Sequence, residues 1–119
     1  MATWGELEEA LADYTVQCNA NERLRKMQRD WSRRLHFSCV DSDVTFTMVV
    51  DHGEIVEVSE GHDGVPDIGV SASSEVFCDM FWGDLNPVSK YLAGEIKVQG
   101  SQEDVMRLDA ISAIIWPDT

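Results

Sequence analysis

An α+β fold, with five strands in one sheet whose helices cover one face, is what the sequence predicts. Three observations lead there. Apolar residues recur every three or four positions through residues 1–34, and then at every second position from Leu35 onward. Four candidate strands follow one another with only turns between them, before two helices, a further strand and a last helix, and this clustering marks α+β rather than alternating α/β. The outward side of those strands (Thr45, Thr47, Glu57, Ser59, Ser71, Lys97) is mostly polar, as a solvated sheet face requires.

Thr3-Trp4-Gly5-Glu6 has capping-box spacing, and Trp4, Leu7, Leu11, Tyr14 and Cys18 continue at helical intervals, which predicts a first amphipathic helix from Trp4 to Cys18. Asn19 and Asn21 interrupt it, and a second helical stretch places Leu24, Met27 and Trp31 on one face. Leu35, Phe37 and Cys39 then alternate with His36 and Ser38, and Asp41-Ser42-Asp43 reads as a turn. Val44, Phe46, Met48 and Val50 form the next apolar row. A three-residue loop, Asp51-His52-Gly53, sets Met48 opposite Val56, Phe46 opposite Val58, Thr47 opposite Glu57 and Thr45 opposite Ser59. A two-residue loop instead pairs Met48 with Glu57 and mixes the faces, so the longer loop is expected.

Gly61–Asp67 is a longer connection leading to a fourth strand with Ile68, Val70 and Ala72. Ser73 or Ser74 can cap a helix carrying Val76, Phe77, Met80 and Phe81, which Gly83 stops. Asn86-Pro87 starts another short helix, which ends at Gly94. Ile96 and Val98 mark a fifth strand. Ser101, three residues before Asp104, caps a last helix with Val105, Leu108, Ile111 and Ile115 on one face and Pro117 at its end.

At 119 residues the chain is expected to form one domain, 1–119, long enough to bury roughly two thirds of its unfolded surface. No signal peptide, membrane-length apolar run or C-terminal targeting tripeptide is visible, and a cytoplasmic protein follows. Cys18, Cys39 and Cys78 lack metal-ligand spacing and read as small apolar side chains in a reducing compartment. The net charge of −13 argues against a nucleic-acid partner. Six of the nine basic residues nevertheless lie between Arg23 and Arg34. That cluster is either a solvated helix face or a contact for an anionic head group or acidic partner.

Catalytic sets are scarce. His36 lies in a strand, His52 in a turn and His62 in a loop, none beside a nucleophile motif or at metal-binding spacing, and His36 with Cys39 or Asp63 has no motif support. No metal, cofactor or enzymatic activity is expected. The apolar inventory is more telling. Phe77, Met80, Phe81 and Trp82 crowd one short helix, with Tyr91, Phe46, Met48 and Met106 on other elements. Such side chains either fill a core or line a pocket for a flexible apolar ligand.

The segment from Ser74 to Gly100 carries a resemblance. A serine-capped helix ends in glycine (Ser74, Gly83), then comes a Leu-Asn-Pro turn (Leu85, Asn86, Pro87) with an aromatic four residues after the proline (Tyr91). Gly94, Ile96, Lys97, Val98 and Gly100 complete the pattern. From Leu35 into the last helix the chain resembles the sterol carrier protein type two family of lipid-binding domains, as a stand-alone, bacterial-type member. The resemblance implies an N-terminal helical segment, 1–34, followed by a five-stranded, largely antiparallel sheet and tunnel helices, 35–116. The tunnel would take a fatty acid, acyl-CoA or sterol-like ligand, without catalysis or cofactor. Phe46, Met48, Phe77, Met80, Phe81, Trp82, Tyr91 and Met106 would then be its ligand-binding residues, with the Arg23–Arg34 segment near the ligand's anionic end. The chain is more acidic and richer in tryptophan than a general lipid shuttle, which points to a dedicated ligand or a protein partner rather than free sterol or phospholipid transfer. A homodimer is the other partner weighed, and integral membrane association is not expected. The alternative is an accessory subunit of a lipid or secondary-metabolism enzyme, its cavity filled by side chains.

Overall fold

In the computed structural model, which describes residues 1–116, the elements run α1 (Trp4–Ala20), α2 (Glu22–Gln28), β1 (Arg33–Cys39), β2 (Thr45–Asp51), β3 (Glu54–Glu60), β4 (Ile68–Ala72), α3 (Ser74–Trp82), α4 (Pro87–Leu92), β5 (Lys97–Gln99) and α5 (Gln102–Ile115). Local chemistry sets most boundaries. Thr3 and Glu6 complete a reciprocal capping box at α1. Asn21, Ser73, Asn86 and Ser101 cap α2, α3, α4 and α5, each side chain accepting from a backbone N–H of the first turn. Gly83 ends α3 in the left-handed region at φ 89°. Pro117, expected to end α5, lies outside the described residues. α2 stops at Gln28, so Trp31 follows the helix instead of sitting on it. Ile96 precedes β5, its N–H bonded to the Lys90 carbonyl.

The sheet order is β3-β2-β1-β4-β5, with every neighbouring pair antiparallel except β1 and β4. Leu35, Phe37, Phe46, Met48, Ile68 and Val70 all point to the buried side. At one end of that side Phe37 stacks on Phe46 (4.7 Å between centroids), and Phe77 packs edge-on to both. Trp4 closes this aromatic block from α1.

The β2–β3 turn differs from the expected three-residue loop. Asp51 pairs with Glu54, leaving His52 and Gly53 as a two-residue turn with φ of 50° and 79°. Both central residues at positive φ match the right-handed twist of a hairpin. A bulge then restores the faces. The register shifts between Val49 and Val50, so Val56 is left over and 57% exposed, while Met48 meets Val58, Thr47 meets Ser59 and Phe46 meets Glu60. One extra residue in the strand thus does what one extra residue in the loop was expected to do.

The outward face is not uniformly solvated. The Gly61–Asp67 connection must carry the chain from the β3 edge past β2 and β1 to β4, and it lies across the outer side. Thr47 donates to the Gly61 carbonyl (2.7 Å), accepts from the Asp63 N–H (3.0 Å), and is fully buried beneath it. His36 of β1 stacks on His62 of the same loop at 4.3 Å. No described helix is long and apolar enough to cross a membrane.

Candidate ligand-binding cavity

Beyond the aromatic block, the helices do not close fully onto the sheet. A cavity of about 410 Å³ separates them, within the usual range of ligand pockets. Leu35, Met48, Val50 and Val70 form its sheet wall. Tyr14 and Cys18 of α1 and Leu24 and Gln28 of α2 form one side, and Val88 and Tyr91 of α4 another. Met80 and Phe81 of α3 and Val105, Met106, Leu108 and Ile111 of α5 complete it. Tyr91 and Met106 are 43% and 65% exposed, which puts the mouth between α4 and α5.

Five of the expected site residues therefore share this lining: Met48, Met80, Phe81, Tyr91 and Met106. Phe46 and Phe77 belong to the aromatic block, both 0% exposed, and Trp82 stands at the end of α3, 43% exposed. Several lining residues carry no motif. Tyr14 and Cys18 occupy the apolar face of α1, Trp31 follows α2 and Trp116 follows α5, and periodicity marks each of them only as core.

The polar groups of the wall are mostly engaged. Tyr14 and Cys18 hydrogen-bond each other, and burial pushes the phenol well above its ordinary range. The same burial pushes the Cys18 thiol up to about 11, against the opposing hydrogen bond from Tyr14, so it is protonated and unreactive at neutral pH. Trp116 stacks on Tyr14 (5.5 Å) and donates its indole N–H to the Met80 carbonyl (2.8 Å). Asn86 donates to the Trp116 carbonyl (2.7 Å), fastening the start of α4 to the end of α5. Among the described residues, the only charged one in the lining is Asp109, which is exposed.

None of the basic residues of the 23–34 segment lines the cavity. Arg25 pairs with Glu54, Arg33 with Asp104 and Arg34 with Asp63. Arg33 and Arg107 flank the Trp31 ring at 5.6 and 5.9 Å, and Trp31 donates to the buried Asp104 carboxylate (3.2 Å). A second, shallower groove between α2 and α5 is lined by Met27, Glu103, Met106 and Arg107, with Met106 common to both spaces.

The weighed catalytic pairs are not assembled. His36 lies on the outer side of β1 and Cys39 on the inner, three residues apart in one strand. His36 instead donates from Nε2 to the Asp63 backbone carbonyl (2.9 Å). Among the described residues no group of His, Cys, Asp and Glu side chains could hold a metal ion.

A sequence profile described as the SCP-2 sterol transfer family matches residues 9–112. No curated protein matches the chain by sequence. Among solved structures, "UbiJ-SCP2 Ubiquinone synthesis protein" aligns with a TM-score of 0.70 at 16% identity, covering 92% of this chain and 94% of that one. The sterol carrier protein domain 2 of Helicoverpa armigera aligns at 0.64 and 20% identity, covering 94% and 88%. The palmitated SCP2L2 of Aedes aegypti aligns at 0.61 and 15% identity, covering 97% and 95%.

Proposed function

The chain belongs to the SCP-2 sterol transfer family, and from that premise we propose that it is a non-catalytic carrier working in the cytoplasm, holding one long apolar molecule between the sheet and α1, α4 and α5. The observation that carries this reading is the cavity itself, about 410 Å³ and walled almost wholly by apolar side chains. The palmitated Aedes aegypti relative of this fold supports an elongated ligand. Met48, Met80, Phe81, Tyr91 and Met106 contact the ligand, while Phe46 and Phe77 form a rigid floor that sets how deep it can go. Burying a dozen methylenes is worth roughly 10 kcal/mol gross at ~0.8 each, and the lost freedom of ligand and side chains takes back much of it.

Native mass spectrometry of protein purified without added lipid, followed by displacement of a fluorescent long-chain probe, tests this. A co-purified lipid, or saturable displacement with a rise in melting temperature, is expected. A protein that carries nothing and binds no probe counts against it. A second reading, an accessory subunit of a lipid-metabolism enzyme, is favoured by the exposed apolar side chains Trp82 at the end of α3 and Tyr91 and Leu92 on α4. The likeness to UbiJ-SCP2 supports it too. Under that reading Trp82→Ala weakens partner capture and leaves probe binding unchanged.

A further inference from the structure

The basic residues of the 23–34 segment divide into two sets. Arg25, Arg33 and Arg34 pair with Glu54, Asp104 and Asp63. Arg23, Lys26 and Arg29 are exposed and form no ion pair among the described residues, although acidic residues outnumber basic ones by 22 to 9. Helix stability does not account for all of them. Lys26 lies in the last turn of α2, where a cation suits the helix dipole, but Arg23 lies in the first turn and opposes it.

Arg23 stands four residues before Met27 and Lys26 directly before it, so this charge borders the groove between α2 and α5. Met27, Met106 and Ala110 give the groove its apolar lining, with Glu103 and Arg107 on α5. Arg107 reaches across to donate to the Met27 carbonyl (3.1 Å), which adds a cation beside α2. Met106 is 65% exposed. Exposed methionines along a concave strip adapt to varied apolar side chains, as in grooves that accept amphipathic helices.

The charges discriminate between occupants. An anionic bilayer would face the domain as a whole, with its net charge of −13, and would meet Glu103 as well as the cations. A single helix meets only what lies within the screening length, about 8 Å at physiological salt. Within that reach the border along α2 is cationic.

We propose that the α2–α5 groove docks an acidic amphipathic helix of a partner protein. Its apolar side rests on Met27, Met106 and Ala110, and its carboxylates face Arg23, Lys26 and Arg29. The site is separate from the exposed side chains of α3 and α4, and it does not depend on what the cavity holds.

The probe is a peptide of about five helical turns, crosslinked to stay helical, with leucines on one face and glutamates along its flank. Its control carries lysine in place of every glutamate. Binding to the full chain is read by fluorescence anisotropy at about 0.15 M salt and mapped by amide chemical shifts. The acidic peptide is expected to bind at least about tenfold more tightly than its control, shifting amides of residues 23–29 and 103–110. Combining Arg23→Glu, Lys26→Glu and Arg29→Glu should weaken binding about tenfold, the scale of three exposed ion pairs. Met106→Ser should also weaken it, with the melting temperature unchanged. Glutamine at the three basic positions repeats the comparison if the glutamate variant folds poorly. No saturable binding of the acidic peptide, shifts that map elsewhere, or affinity unchanged in these variants overturns the proposal. Flotation with phosphatidylglycerol vesicles that the triple variant loses overturns it in favour of a membrane. A dimer in light scattering that the triple variant splits overturns it in favour of a second copy of the chain.

Discussion

Asp41 is an exposed carboxylate in the β1–β2 turn, yet it organises three distant pieces of chain. It accepts from the backbone N–H of Ser74 (2.9 Å) and from the Ser74 hydroxyl (3.0 Å), while that hydroxyl accepts from the Ala2 N–H (2.8 Å). The backbone bond from Ser74 is the main cause that holds the Asp41 carboxyl below its ordinary value. A lowered carboxyl stabilises the fold at neutral pH, and the contribution fades as pH falls below about 4 toward its folded-state value. Asp41→Asn should therefore be less stable than wild type in urea melts at pH 7, with the gap narrowing as pH falls below the ordinary carboxylate range. A gap independent of pH would show that the carboxylate's charge is not what matters. The same scale explains why part of the cavity was legible and part was not. Met48, Met80, Phe81, Tyr91 and Met106 stand out as bulky apolar residues in a crowded region, but so do Phe46, Phe77 and Trp82, and only three-dimensional placement separates wall from block from surface. Gln28 is harder still, a polar residue between Met27 and Arg29 whose burial is betrayed only by its four-residue spacing from Leu24.

Among the elements, the β2–β3 hairpin carries the tightest constraints. Gly53 sits at φ 79°, against the Gln28 backbone, and donates its N–H to the Trp31 carbonyl (3.0 Å). Gly53→Ala combines a left-handed conformation with a clash against main chain, and should lower unfolding free energy by about 1–3 kcal/mol, measured by urea denaturation. A loss within error would mean that the turn and α2 can separate cheaply. At the bulge, Asn19 of α1 donates to the Ile55 carbonyl (3.0 Å) and accepts from the Ile55 N–H (2.9 Å), so one amide satisfies both groups of that β3 residue. Asn19→Ala should cost about 1–2 kcal/mol by leaving them without a protein partner. Helix boundaries were readable because caps are local: Thr3, Asn86, Ser101 and Gly83 act within a turn of themselves. The hairpin register was not, because a loop residue and a bulge residue restore the same alternation, and no local signal in Val49–Glu57 distinguishes them.

For the whole molecule, a net charge of −13 on a small domain means self-repulsion that screening relieves. Melting temperature should rise between low salt and about 0.5 M sodium chloride, where the screening length is only a few ångströms; a fall would mean that pairs such as Arg33–Asp104 outweigh the repulsion. The α+β class and the number of strands were accessible from clustering alone, whereas the parallel β1–β4 pair depends on where a connection crosses, which periodicity does not encode. That crossing is made by seven residues, Gly61 to Asp67, at a span of three strand spacings. Three spacings are about 14 Å, and seven residues reach at most about 25 Å. The connection thus spans the sheet with length to spare, and its bonds to Thr47 and His36 take up part of that slack by fastening it to the outer face. Parallel strands are ordinarily joined by a helix that occupies a face of the sheet; by running this link as bare backbone over the far side, the chain keeps the β3–β4 crossover off the face where the helices and the sheet enclose the cavity.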